Sequence, residues 1–132
     1  MATKYNVGKA AALVEAAMSE HKFRVGCVVA RGNRILSRGR NSYKSHTAAS
    51  ACQKTHAEIS ALTKAHKHDL RGATVYVARL LRDGTQALAA PCNNCLQAAV
   101  ERGVSKVVYT ASTDGWNVAD CAGMAECLTF GA

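Results

Sequence analysis

Two short runs carry residue types whose spacing can do chemistry: Thr55-His56-Ala57-Glu58 and Pro91-Cys92-Asn93-Asn94-Cys95. Cys-x-x-Cys at the start of a helix sets two thiolates one turn apart on one face, within reach of a single tetrahedral zinc ion. The helix N-terminus also stabilises thiolate charge. His56 would add a neutral nitrogen as third ligand. Two thiolates and one imidazole leave a fourth position for water, the mark of a catalytic rather than a closed structural site. Zinc lowers the pKa of such a water towards neutrality. Glu58, two residues after His56, need not bind the metal; it can take the water's proton and pass it to a reacting group.

Each run has a plainer reading when taken alone. Thr55-x-x-Glu58 is also a capping box, in which the glutamate satisfies only a backbone donor. Cys92-x-x-Cys95 can be a redox pair or half of a structural zinc site. His56 can be an ordinary helix-start histidine. The two runs together, with a strand between them, favour the catalytic metal site.

The elements that must position these residues follow from periodicity. Val7, Ala10, Leu13, Val14, Ala17 and Met18 recur at helical spacing, so residues 5–20 read as an amphipathic helix. Val25 to Ala30 and Arg34 to Ser37 read as strands joined by a Gly32-Asn33 hairpin turn. Residues 39–55 form a long polar connection of the kind that tends to be functional. His56 to about His66 reads as a helix, and Ala73 to Leu81 as a strand followed by an Asp83-Gly84 turn. Cys92 to Arg102 is helical with Gly103 at its C-cap, and Lys106 to Thr110 is a strand. The segment from Trp116 to Phe130 is read as a helix. The first two strands should form an antiparallel hairpin. Strand–helix alternation in the second half implies right-handed crossovers and parallel pairing, hence a mixed sheet with helices on both faces.

The chain has 132 residues, with one proline, no linker-like run and no internal repeat, and reads as a single domain over 1–132. An apolar content of 48% suits a globular core and excludes a disordered chain. No run of 18 apolar residues suggests a membrane span, and Met1 to Lys9 has no apolar signal core. A cytoplasmic protein without membrane contact is the expectation. There the six cysteines stay reduced, which suits metal ligation better than disulfides. Net charge is +8: all 17 Lys and Arg lie between Lys4 and Lys106, while Asp114, Asp120 and Glu126 alone are charged after them. Such a field favours nucleotides or nucleic acid, although a well-solvated surface accounts for it equally.

His56-Ala57-Glu58 and Pro91-Cys92-Asn93-Asn94-Cys95 resemble the cytidine/deoxycytidylate deaminase superfamily. The resemblance extends to Val25-Gly26-Cys27-Val28-Val29, Arg40-Asn41 and the run from Gly103 to Tyr109, and covers roughly residues 5–112. It implies an α/β fold, a three-layer α/β/α sandwich with a five-stranded mixed sheet; the fifth strand would have to come from the tail. It implies that His56, Cys92 and Cys95 bind one zinc ion and that Glu58 shuttles protons. Asn41 matches the asparagine that contacts the base or sugar. The backbone around Ala57, Ala90 and Cys92 would line the reacting edge of the base. Phe23 and Tyr43 are further candidates for the pocket wall, and either can equally be ordinary packing. Leu88-Ala89-Ala90 stands where the family commonly has Thr-Leu-Glu, which removes an acidic residue near the metal.

The resulting expectation is a hydrolase of nucleotide metabolism: zinc-dependent deamination of a cytosine-type base in a small nucleotide or nucleoside, deoxycytidylate-like first, with release of ammonia. The alternatives are a polynucleotide deaminase acting on tRNA adenosine or single-stranded cytosine, and a non-catalytic zinc- or RNA-binding module. The resemblance also implies a homo-oligomer, dimer or tetramer. His46 and Cys52 offer too few ligands for a second zinc site, and Lys44 and Lys54 are candidate phosphate contacts. Lys64, His66-Lys67-His68 and Arg71 form a basic end to the second helix, which complements its dipole or contacts nucleic acid. Cys27 reads as a small core residue.

Overall fold

The computed structural model describes residues 6–18, 24–32, 34–43, 54–55, 57–65, 70–89, 93–111 and 115–120. For 6, 42–43, 54–55, 57–60 and 93–94 the description is of the backbone. The elements are α1 (Asn6–Met18), β1 (Arg24–Arg31), β2 (Arg34–Arg40), β3 (Ser42–Tyr43), β4 (Lys54–Thr55), α2 (Ala57–Lys64), β5 (Thr74–Leu80), β6 (Gln86–Ala87), α3 (Asn93–Glu101), β7 (Lys106–Thr110) and β8 (Trp116–Asp120).

The main sheet runs β2-β1-β5-β7-β8, with β6 paired to β5. β1 is antiparallel to β2 and to β5, as the hairpin reading requires. β5 and β7 are parallel, as the crossover reading requires. Strand alternation sends successive side chains to opposite faces, and two cores result. Val28, Ala30, Tyr76, Ala78, Leu80 and Val108 pack on Ala11, Ala12 and Ala16 of α1. Cys27, Val29, Val75, Val77 and Val107 pack on Ala61 and Leu62 of α2, Ala65 just past it, and Ala99 of α3. The architecture is therefore three layers, α/β/α. Gly26 lets α1 lie directly on β1: a Cβ there would collide with Ala16 N and Ala12 O.

The tail reading is corrected. Trp116–Asp120 is not helical; it is the fifth strand of the sheet path, antiparallel to β7 with Lys106 opposite Asp120 and Thr110 opposite Trp116. Trp116 and Val118 flank polar Asn117, but Ala119 breaks the alternation, and the run is too short for its period to stand out beside the Ala- and Met-containing stretch that follows. Residues 121–132 lie outside the described residues. The long connection 39–55 is also more ordered at its ends than a loop: β2 continues to Arg40, and β3 pairs with β4, Tyr43 opposite Lys54.

Candidate active site

The C-terminal ends of α2 and α3 are fixed to one edge of the sheet. Arg102, just past α3, donates from Nη1 to Leu62 O at 2.9 Å and from Nη2 to Ala65 O at 3.1 Å. Those carbonyls stand at the C-terminal end of α2, where the helix dipole favours a cation; Leu62 O also accepts from Ala65 N at 3.2 Å. Ser105 N donates to Ala73 O at 2.8 Å, joining the two connections that follow the helices. At the end of α3, Gly103 has φ 82°. Gly103 N donates to Val100 O at 3.0 Å and Val104 N to Ala99 O at 3.1 Å, a Schellman stop. Both helices therefore run back across the sheet, and their N-termini lie towards the C-terminal ends of β5 and β7. That edge is where parallel strands of α/β folds usually bind ligands.

Those of the chemically capable residues that are described sit along this edge. Glu58 is the second residue of α2 and follows Ala57, its first. Thr55 is held in β4 opposite Ser42 rather than in the helix. This places Glu58 one position short of a capping-box glutamate counted from Ala57. His56 and Cys92 immediately precede α2 and α3 in the chain and lie outside the described residues, as do Ala90 and Phe23. Cys95 occupies the first turn of α3, is 2% exposed and forms no disulfide. Cys27 is buried in β1, a core residue as its strand context suggests.

Asn41 is buried beside the same edge. Its N–H donates to Val25 O at 3.1 Å, and its Oδ1 accepts from Val25 N at 3.0 Å. One residue thus closes both hydrogen bonds of Val25, which lies opposite Arg79 near the end of β5. The β3–β4 pair then joins the segment after Asn41 to the two residues before His56. Tyr43 falls on this pair and Ala57 begins α2; Lys44, His46 and Cys52 lie outside the described residues.

Two residues that spacing did not single out act on the segment before Cys92. Thr110, the last residue of β7, is fully buried. Its Oγ1 donates to Ala87 O at 2.6 Å and accepts from Arg79 N at 3.2 Å, while its carbonyl accepts from Ala89 N at 2.9 Å. Arg79 Nη1 donates to Leu88 O at 3.5 Å.

Among the described residues no group of three or more His, Cys, Asp or Glu side chains gathers. The donor set nevertheless fits zinc by its chemistry. Cys95 is buried in the first turn of a helix, Cys92 is three residues before it, and His56 precedes a second helix that starts at the same edge. Two thiolates and an imidazole are ligands that zinc prefers. No helix among the described residues is long and apolar enough to cross a membrane.

A family model described as the cytidine and deoxycytidylate deaminase zinc-binding region matches residues 2–111. No curated protein matches. Among solved structures, the dCMP deaminase of cyanophage S-TIM5 is 26% identical, with a TM-score of 0.62, over 81% of this chain and 82% of that one. The cytidine deaminase of Burkholderia pseudomallei is 21% identical, with a TM-score of 0.68, over 89% of this chain and 92% of that one, a likeness of fold. A tRNA:A34 deaminase shares the fold at 24% identity and a TM-score of 0.52, over 76% of this chain and 71% of that one.

Proposed function

The chain belongs to the cytidine and deoxycytidylate deaminase family, and we propose that it hydrolyses the amino group from the cytosine base of a small nucleotide, deoxycytidylate-like, releasing ammonia. The observation that carries this reading is the shared edge. α2 and α3 both start there, one just after His56 with Glu58 in its first turn, the other just after Cys92 with Cys95 in its first turn. Asn41 is clamped beside them.

His56, Cys92 and Cys95 would hold zinc. When bound, zinc would supply the Lewis acidity that makes water a nucleophile near neutral pH. Glu58 would take one proton from the attacking water and deliver it to the ring nitrogen, then take the second from the added hydroxyl and deliver it to the departing amine. Asn41 would contact the base or sugar. The backbone at Ala57 and Ala90 would line the reacting edge, with Phe23 and Tyr43 as its walls. A cytosine nucleotide is favoured because the phage dCMP deaminase is similar at 26% identity over 81% of this chain and 82% of its own. A small substrate also suits a chain with two Phe, one Trp and four Tyr, too few aromatics for an extended base-stacking groove.

The test is ammonia release from a panel of dCMP, CMP, deoxycytidine, cytidine, adenosine, guanine, single-stranded DNA and tRNA. Turnover should be fastest with dCMP. Glu58→Ala should lower kcat by about 10²–10⁴-fold while metal analysis still finds one zinc per chain. Undiminished turnover by that variant would remove Glu58 from the reaction. Loss of zinc together with turnover would recast it as a structural residue.

A further inference from the structure

We infer that Thr110, acting with Arg79, is the positioning residue for the segment that carries Cys92, so that a buried hydroxyl on β7 sets where the first of the two thiolates stands. This rests on the reading of Cys92 and Cys95 as zinc ligands.

The inference starts from a break in the sheet. β5 and β7 pair in parallel from Thr74 to Val77 of β5, with Val77 opposite Tyr109. Beyond that, Arg79 and Leu80 turn to β6 as partner, opposite Ala87 and Gln86. Thr110 fills the join. Its hydroxyl takes the Arg79 N–H in place of a ladder carbonyl, and donates to Ala87 O. Its carbonyl then takes the Ala89 N–H. With the Arg79 guanidinium on Leu88 O, each of residues 87, 88 and 89 has one backbone group tied to Thr110 or Arg79. Between this clamp and Cys92 stand only Ala90 and Pro91.

The segment's own side chains offer no polar anchor. Leu88, Ala89 and Ala90 have no polar side-chain atom, and Pro91 has no N–H. Where a chain's own side chains cannot anchor it, its placement must come from its neighbours, here from β5 and β7. The chemistry required of position 110 is a donor and an acceptor on one atom, in a site with 0% exposure where water cannot stand in. Threonine and serine meet that demand; valine has the shape of threonine and neither function.

A purely structural role would make Thr110 no different from another buried threonine in the sheet. Thr74 is that control: it is 8% exposed and begins β5 at the edge away from the segment. The experiment uses the full chain as wild type, Thr110→Val, Thr110→Ser and Thr74→Val. Zinc affinity is measured by competition with a chromogenic chelator, ligand geometry by the thiolate-to-cobalt absorption of the cobalt-substituted protein, and stability by thermal melting. Thr110→Val should lose about tenfold or more in zinc affinity, the scale of removing support from a metal ligand, and should alter the cobalt spectrum. Thr110→Ser should restore both. Thr74→Val should keep wild-type affinity and spectrum whatever its melting temperature. Arg79→Met, which removes the bond to Leu88 O and leaves the backbone bonds, should give a smaller loss on the same readouts and serves if Thr110→Val does not fold. Wild-type zinc binding in Thr110→Val, or in Arg79→Met where that variant stands in, overturns the inference alone. So does an equal loss in Thr74→Val. A wild-type protein that binds no zinc overturns the ligand assignment and the inference with it.

Discussion

At the residue scale, Asn41 has an observed role in the framework and a proposed one at the substrate, and substitution can separate the two. It is 8% exposed and closes both hydrogen bonds of Val25. Asn41→Ala removes the Oδ1 acceptor and strands the Val25 N–H. That should cost about 1–3 kcal/mol of stability, the penalty for an unsatisfied buried donor, readable by urea denaturation, and should abolish turnover. Asn41→Asp keeps an acceptor for Val25 N but loses the amide donor, so it should recover part of the stability and none of the turnover. If Asp restores both, Asn41 belongs to the framework and not to substrate binding. Glu58 and the Cys-x-x-Cys pair could be proposed from the sequence because their chemistry lies in short local spacings, and Asn41 could be proposed from the resemblance. Thr110 could not. A threonine ending a strand is unremarkable, and its side-chain partners are 31 and 23 residues away, at Arg79 and Ala87. No local pattern reports a hydroxyl whose meaning is set by a distant strand and a two-residue one.

At the element scale, the helices aim the site, and their stops are what hold that aim. Arg102→Met removes two charge-assisted bonds to the end of α2 and should cost about 1.5–3 kcal/mol. Arg102→Lys should recover only part of that, because an ammonium lacks the planar fork that spans two carbonyls. Gly103→Ala should cost about 1–2 kcal/mol for its left-handed backbone, and its Cβ would lie 2.9 Å from Arg71 Cγ. Equilibrium denaturation checks all three. The Asp83-Gly84 turn between β5 and β6 makes a prediction about pH. The Thr85 hydroxyl and then its amide hold the exposed Asp83 carboxyl below its ordinary range, the amide at 2.9 Å from Oδ1. A depressed folded value means that the turn's support is present above the unfolded pKa and is lost as pH falls through the folded one. A carboxyl titration followed by NMR should place the Asp83 midpoint below that of an unstructured aspartate. Thr85→Ala should raise it. Most elements could be read from the sequence because their apolar period ran long enough, as in α1 and β5. β8 and β6 could not. Five and two residues are too short for a period to declare itself, and both strands exist because a neighbour already in the sheet offers them a ladder.

At the scale of the whole molecule, charge separates a small substrate from a polymer. The net charge of +8 is compatible with either, because any anion is drawn to a basic protein, and counting charges cannot tell one phosphate from many. Fold likeness does not decide it either, since nucleotide deaminases and a tRNA deaminase share this architecture. Ionic strength does decide it. A polymer that engages six to ten phosphates releases a counterion at each, and its affinity should fall by about 10³–10⁵ between roughly 50 and 200 mM salt. A mononucleotide presents one phosphate, and over the same interval its KM should rise by only about a few fold. With turnover of dCMP measured across that range, a shallow rise in KM supports a pocket built for a free nucleotide. If instead dCMP is a poor substrate, and single-stranded DNA or tRNA is deaminated with a steep loss at higher salt, the basic front of the chain is a binding surface for the polymer. Zinc removal is the control that ties either result to the same centre. Dialysis against a chelator should abolish deamination of whichever substrate is used, and added zinc should restore it.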